Sequence, residues 1–151
     1  MKKTLAACLI ALPFACLAAD TEWTPQVNVQ NADFVSGKKA VEAGNWQAAV
    51  EAFTRAAKSD PRNADIHNYL GYSYRQMERL DEAFRHYHEA LRLEPFHRGA
   101  NEYIGWAYLK TNQLAKAEEH LARLEKICGK SCVEFEKLGK GIADYKAKNK
   151  S

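Results

Sequence analysis

Cys128 and Cys132 flank a Gly-Lys-Ser tripeptide. A thiol pair this close can form a disulfide, exchange one, or hold a soft metal. Redox pairs of the thioredoxin type have two intervening residues and sit beside a βαβ pattern. Here three residues intervene and no such pattern surrounds them. The expected bond is therefore structural. It closes a tiny ring, which the chain-entropy model values at only ~2 kcal/mol, and its use is local: it fixes how the chain turns into its last helix. The alternative is a thiol-redox or metal-carrier protein centred on the same two residues. Histidine chemistry is less developed. His86 and His88 are two apart on a helical stretch and point to different sides. His86 and His120 occupy equivalent places, yet two imidazoles without a third ligand make a weak transition-metal site, so a solvated helix surface is expected. Glu118 and Glu119 are adjacent, as ordinary exposed helix charge is. Phosphate loop, nucleophile elbow and zincin patterns are all absent from the sequence. No enzyme, no cofactor and no metal site are expected.

The compartment bears on the thiols. Lys2 and Lys3 precede an apolar run from Leu5 to Leu17, and Ala18-Ala19 follow. This reads as a signal peptide over 1–19, cut after Ala19 or, almost as well, after Ala18. A periplasmic or secreted protein is expected, in which only Cys128 and Cys132 remain, an even count that favours a disulfide. Leu5-Ala6-Ala7-Cys8 and Pro13-Phe14-Ala15-Cys16 are lipobox-like but poorly placed or poorly started, so a lipid anchor is disfavoured. The chain holds 22 basic against 19 acidic residues. Losing Lys2 and Lys3 brings them nearly level, which leaves no electrostatic case for nucleic acid or an anionic membrane. No further run is long and apolar enough for an integral membrane segment.

Residues 20–30 are polar, contain Pro25 and read as an extended lead-in. Beyond them the chain repeats every 34 residues: Gly37, Gly71, Gly105 and Gly139 fall on that period, as do Ala49, Ala83 and Ala117. Phe53, Tyr87 and Leu121 hold a bulky position, Ala56, Ala90 and Leu124 another, and Pro61 and Pro95 end two units, with Gly129 in the corresponding place of the third. Small residues permit close helix approach, where a larger side chain would overpack. The bulky positions are expected to fill the space between units, and the residue before each proline is driven out of the α region. Helices are predicted near 31–43, 47–59, 64–77, 81–93, 98–111, 115–127 and 132–147. Ser131 and Glu134 have capping-box spacing at the start of the last, and Phe135, Leu138, Ile142 and Tyr145 give it one apolar stripe.

Leu70-Gly71-x-x-Tyr74, Ala83-x-x-x-Tyr87 and Pro95, echoed by Ile104-Gly105-x-x-Tyr108 and Ala117-x-x-x-Leu121, resemble the tetratricopeptide repeat (TPR) family. The first unit, with Ser36-Gly37-x-x-Ala40, is more divergent. The resemblance implies an all-α, right-handed α-solenoid of three helix pairs (31–63, 64–97, 98–131) and a C-terminal capping helix and tail over 132–151. It also implies that the first helix of each unit lines a concave groove. The groove places hold Phe34, Val35 and Lys38, then Asn68, Tyr69, Tyr72 and Arg75, then Glu102, Tyr103 and Trp106. Aromatics one period apart would align into a strip suited to peptide recognition. Chaperone-binding members of the family clamp a terminal carboxylate with Lys, Asn and Arg. Tyr and Glu occupy several of those places here, which argues against that clamp, while Lys38 and Arg75 remain able to meet an acidic ligand. A protein- or peptide-binding scaffold or adaptor is the leading expectation. A structural assembly subunit that binds through its convex face or an edge is the alternative. The partner is a protein or peptide whose identity these residues do not specify.

Overall fold

The computed structural model describes residues 31–149. The expected signal peptide at 1–19, the lead-in at 20–30 and the last two residues lie outside them. The described residues form α1 (Ala32–Glu42), α2 (Trp46–Ser59), α3 (Ala64–Gln76), α4 (Leu80–Leu93), α5 (Arg98–Lys110), α6 (Leu114–Cys128) and α7 (Val133–Lys148), and no strand. Each helix begins and ends within one residue of its expected place. The starts have local causes. Asn31, Asn45 and Asn63 accept hydrogen bonds from the first free amides of α1, α2 and α3, and the His97 ring does the same for Ala100 N at 3.2 Å. Asp60 and Glu94 leave the helical region just before Pro61 and Pro95. The turn inside each unit passes through the left-handed region at equivalent places: Gly44 (φ 68°), Glu78 (φ 59°) and Asn112 (φ 57°). Glycine takes that conformation freely, whereas Glu78 does so at a steric cost. The capping box of the last helix does not form. Cys132 is the N-cap of α7 and offers no side-chain bond, while Glu134 turns toward Arg98, 3.8 Å away.

Packing follows the period closely in two units and departs from it in the third. A Cβ placed on Gly37 would meet the Phe53 ring at 2.5 Å, and one on Gly71 the Tyr87 ring at 2.6 Å. Each ring therefore roofs a glycine of its own unit. Each also touches the next unit: Phe53 stacks on Tyr69 at 5.1 Å and Tyr87 lies 6.5 Å from Tyr103. Phe53, Tyr87, Ala49, Ala83 and Ala117 are all fully buried. A buried ring of this size contributes ~2–3 kcal/mol of apolar transfer. In the third unit Leu121 was the expected counterpart, but it is only half-buried. A leucine is shorter than a phenyl ring, and the side chain found against Gly105 is Leu138 of α7, with Cδ2 at 2.5 Å from the position of a Cβ. Leu121 instead lies beside Gly139, at 3.7 Å. The cap replies in kind: Trp106 of α5 packs its indole onto Gly141, where a Cβ would sit 2.3 Å from the ring. The expected stripe of α7 faces inward, with Leu138 and Ile142 buried and Phe135 and Tyr145 packed beside them.

The glycines of one period should thus differ in tolerance. Gly71→Ala should destabilise by ~1–3 kcal/mol through overpacking against a fully buried ring. Gly139→Ala, with only ordinary contact to Leu121, should be neutral or stabilise by up to ~1 kcal/mol through helix propensity. Urea unfolding of the two variants measures the contrast, and equal costs would contradict this packing.

Candidate functional site

The first helices of the units pack side by side, α3 against α5 and α5 against α7, and two depressions lie along them. One, of about 360 Å³, is lined by Tyr72, Arg75, Glu102, Tyr103, Trp106 and Lys137. The other, of about 410 Å³, includes Asp65, Asn68, Tyr69, Tyr103 and Glu134 in its lining. Tyr103 belongs to both, so the two adjoin at one ring. Seven of the ten expected groove residues are brought together here: Asn68, Tyr69, Tyr72, Arg75, Glu102, Tyr103 and Trp106. Phe34, Val35 and Lys38 line neither depression. Phe34 packs against Phe53 at 5.7 Å and Tyr69 at 5.6 Å, and the Lys38 ammonium sits over the Phe34 ring at 5.3 Å. The divergent first unit spends its aromatic residue on the core.

The rings have two faces and two jobs. Tyr69 stacks on Phe53 with one side and lines a depression with the other. Tyr72 lies 4.9 Å from Tyr103 and 5.8 Å from Trp46. Trp106 lines the smaller depression while holding the cap at Gly141. The Arg75 guanidinium lies over Tyr72 at 5.3 Å and Tyr103 at 5.8 Å, and donates from Nε to the Tyr87 hydroxyl at 3.3 Å. It is thereby held flat against the aromatic floor with its remaining N–H groups free to bond outward. Burial pushes the Tyr103 phenol up to about 12, with Glu102 acting in the same direction. Burial also raises Glu102, which is 5% exposed. The Tyr103 phenol is therefore a donor at neutral pH.

The sequence reading missed Lys137 and the lining residues around Asp65. Lys137 lies one period beyond Tyr103, so extending the register into the cap would have found it. Among the described residues, Cys128, Cys132 and Glu134 place ligand atoms within 4.8 Å of one another. The two sulfurs face each other with Cα atoms 5.9 Å apart, and the carboxylate faces Arg98.

The histidines depart from the solvated-surface expectation. His67 Nε2 donates to the Pro61 carbonyl at 3.2 Å, which leaves His67 Nδ1 to accept from His86 Nδ1 at 3.2 Å. One period later Asn101 and His120 hold the same two places: His120 Nδ1 donates to Asn101 Oδ1 at 2.9 Å. His120 is buried and His86 half-buried. Desolvation holds each down to about 4, with the His67 ring adding to the effect at His86 and Arg123 at His120. These are polar ties between the two helices of a unit. His88 is exposed.

This is an all-α solenoid of helix pairs with a continuous aromatic face and a C-terminal cap. The chain belongs to the tetratricopeptide repeat family, whose model matches residues 34–87 and again 70–131. A comparison with curated proteins finds no match. Among solved structures it is similar to the Yersinia enterocolitica type III secretion translocator chaperone SycD (15% identity, 80% of this chain and 85% of that one, TM-score 0.71). It is also similar to the second TPR domain of human RPAP3 in complex with the HSP70 peptide SGPTIEEVD (18%, 74% and 96%, 0.65), and to the TPR2B domain of yeast Sti1 in a pHsp70 complex (20%, 78% and 92%, 0.65). At these identities the likeness is one of fold.

The histidine ties imply acid sensitivity. The fold holds His86 and His120 neutral down to about 4, whereas the unfolded chain protonates them near 6.5. Stability is therefore fully present above about 6.5 and falls as the pH drops from there to about 4. Urea midpoints should decrease from pH 7.5 to pH 5, and His86→Gln with His120→Gln should flatten that slope. An unchanged slope in the double variant would remove these two rings as its source.

Proposed function

We propose that this protein is a non-catalytic scaffold or adaptor that holds an extended segment of another protein across the face lined by Tyr69, Tyr72, Arg75, Tyr103 and Trp106. The observation that carries this is that two depressions along the first helices adjoin at Tyr103, which lines both. Tyrosine and tryptophan rings supply large contact area at low entropic cost, and arginine and phenol donors can meet a peptide backbone. Support by analogy comes from the RPAP3 and Sti1 domains, each recorded with a chaperone-derived ligand, and from SycD, itself a chaperone. The site of action we propose is the periplasm or the exterior. The basic start, apolar run and Ala18-Ala19 of the sequence support export, and no helix among the described residues is long and apolar enough to cross a membrane. A second reading, assembly through an edge, draws on Phe96, which is 74% exposed, beside a 250 Å³ depression formed with Pro95, Arg123, Lys126 and Ile127.

Capture from an envelope extract separates the two readings. Residues 20–151 serve as bait, and affinity is then measured for whichever partner is retained. Tyr72→Ala should weaken binding by ~1–2 kcal/mol, while His88→Ala leaves it unchanged. Trp106→Ala is a poorer probe, because it also loosens the cap. Retained binding in Tyr72→Ala, with loss in Ile127→Ala, would favour edge assembly, because Ile127 lines only the edge depression whereas Phe96 also reaches the larger inner one.

A Cys128–Cys132 disulfide is part of the same proposal, supported by the facing sulfurs and in keeping with the oxidising compartment proposed above. Protein purified from its native envelope should have no free thiol when denatured, and a mass two hydrogen atoms below the dithiol form. Two titratable thiols in that material would overturn the bond.

A further inference from the structure

We propose that the outer groove between α4 and α6 is a second docking surface, shaped for a partner segment that carries a bulky apolar side chain followed by acidic residues. The groove includes the edge depression beside Phe96 and is independent of the inner face. α4 and α6 each pack on α5, and among the described residues they do not pack closely on each other. The floor between them is supplied by α5 at Tyr108, whose ring stacks on His120 at 5.7 Å. One end is a depression of about 380 Å³ whose lining includes Arg92, Lys116 and Arg123. The other end is the 250 Å³ depression of Pro95, Phe96, Lys126 and Ile127, and Arg123 lines both. From Lys116 to Ile127 α6 rises ~16 Å, the length of about five extended residues.

Charge and exposure select the occupant. Lys116, Arg123 and Lys126 are exposed, and none of them enters an ion pair among the described residues. Lys116 lies over the Tyr108 ring at 5.2 Å and donates to Gln113, while Arg92 is paired with Glu89. Glu119 is the one carboxylate in either lining. The excess charge is positive, and beside it stands Phe96, 74% exposed. The repeat supplies an internal control. One period earlier, the places of Lys116 and Arg123 hold Glu82 and Glu89, and the place of Phe96 holds Arg62. Packing of a unit therefore requires neither these cations nor an exposed ring. A ligand that answers both features covers Phe96 and Ile127 with an apolar side chain and brings carboxylates to Arg123 and Lys116. A basic segment would meet an excess of like charge, and a purely acidic one would leave the ring in water. The order of the two depressions gives the segment a direction, with its apolar residue at the Phe96 end.

The test titrates isotope-labelled protein with acetyl-Phe-Asp-Asp-Asp amide at constant ionic strength, read by amide NMR. Acetyl-Ala-Asp-Asp-Asp amide and acetyl-Phe-Lys-Lys-Lys amide are the comparisons. The first peptide should shift the Phe96, Arg123 and Ile127 resonances saturably. Loss of its ring should weaken it about 10-fold, and the lysine peptide should not bind. Lys116→Glu with Arg123→Glu installs the residue types of the preceding unit and should weaken the acidic peptide at least ~10-fold. Phe96→Arg should also weaken it, and Tyr72→Ala should leave it unchanged. No saturable shift, equal binding of all three peptides, or binding indifferent to the charge reversal would each overturn the surface. Shifts confined to Tyr72 and Trp106 would move the acidic segment to the inner face and overturn the outer groove alone. Self-association seen by sedimentation velocity and lost in Phe96→Arg would give the groove to a second copy and overturn the acidic partner. If the acidic peptide binds here while capture ignores Tyr72, the inner-face reading is the one that fails.

Discussion

The fold depends on one contact made twice: an aromatic ring lying flat on a helix that has no side chain beneath it. Phe53 on Gly37 and Tyr87 on Gly71 set the separation of each helix pair. Because the same rings reach the next unit, at Tyr69 and Tyr103, they also set the step from unit to unit. A side chain at either glycine would have to move a ring that is fully buried and close-packed on both faces. The aromatic inner face is placed by this step, since Tyr69 and Tyr103 stand on the rings below them.

The third unit shows what happens when the ring is missing. Leu121 leaves Gly105 uncovered, and α7 covers it with Leu138 while accepting Trp106 on its own Gly141. The cap is therefore a reciprocal lock rather than a lid on an apolar end. It has a consequence for the site. Because α7 takes the place of a further first helix, it extends the inner face and adds Lys137 to one depression and Glu134 to the other. A solenoid of so few units needs its end closed for stability, and here the closure also finishes the surface.

The period made the fold legible. Glycine, alanine and proline at fixed spacing constrain backbone approach directly, so helix order and limits could be read from residue types alone. The site was legible only as a set of positions. Residue number places Phe34 and Asn68 at equivalent places on similar helices, but not the direction a side chain leans. Phe34 leans into the core because the first unit offers Phe53 beside it. Asn68 was placed in the groove, but nothing in its type or spacing reveals that its oxygen is left without a donor. The histidines failed for a different reason. His86 and His120 were compared with each other along the period, when their partners stand nineteen residues back in the same unit, at His67 and Asn101. Pairing within a unit follows the helix hairpin, and comparing only across units hides it.

The polar ties lie apart from the inner face. The rings of that face pack as well as line it, so a change at Tyr69 or Trp106 loosens the stack as it alters the surface. The His67–His86 and Asn101–His120 pairs join the same helices without lining either inner depression. Asn101 is fixed from three sides, its amide donating to the Pro95 and His97 carbonyls while its oxygen accepts from His120. His97 in turn caps α5 and holds Asp65. A chain of bonded groups thus runs from the buried side of α5 to the acidic rim of the larger depression.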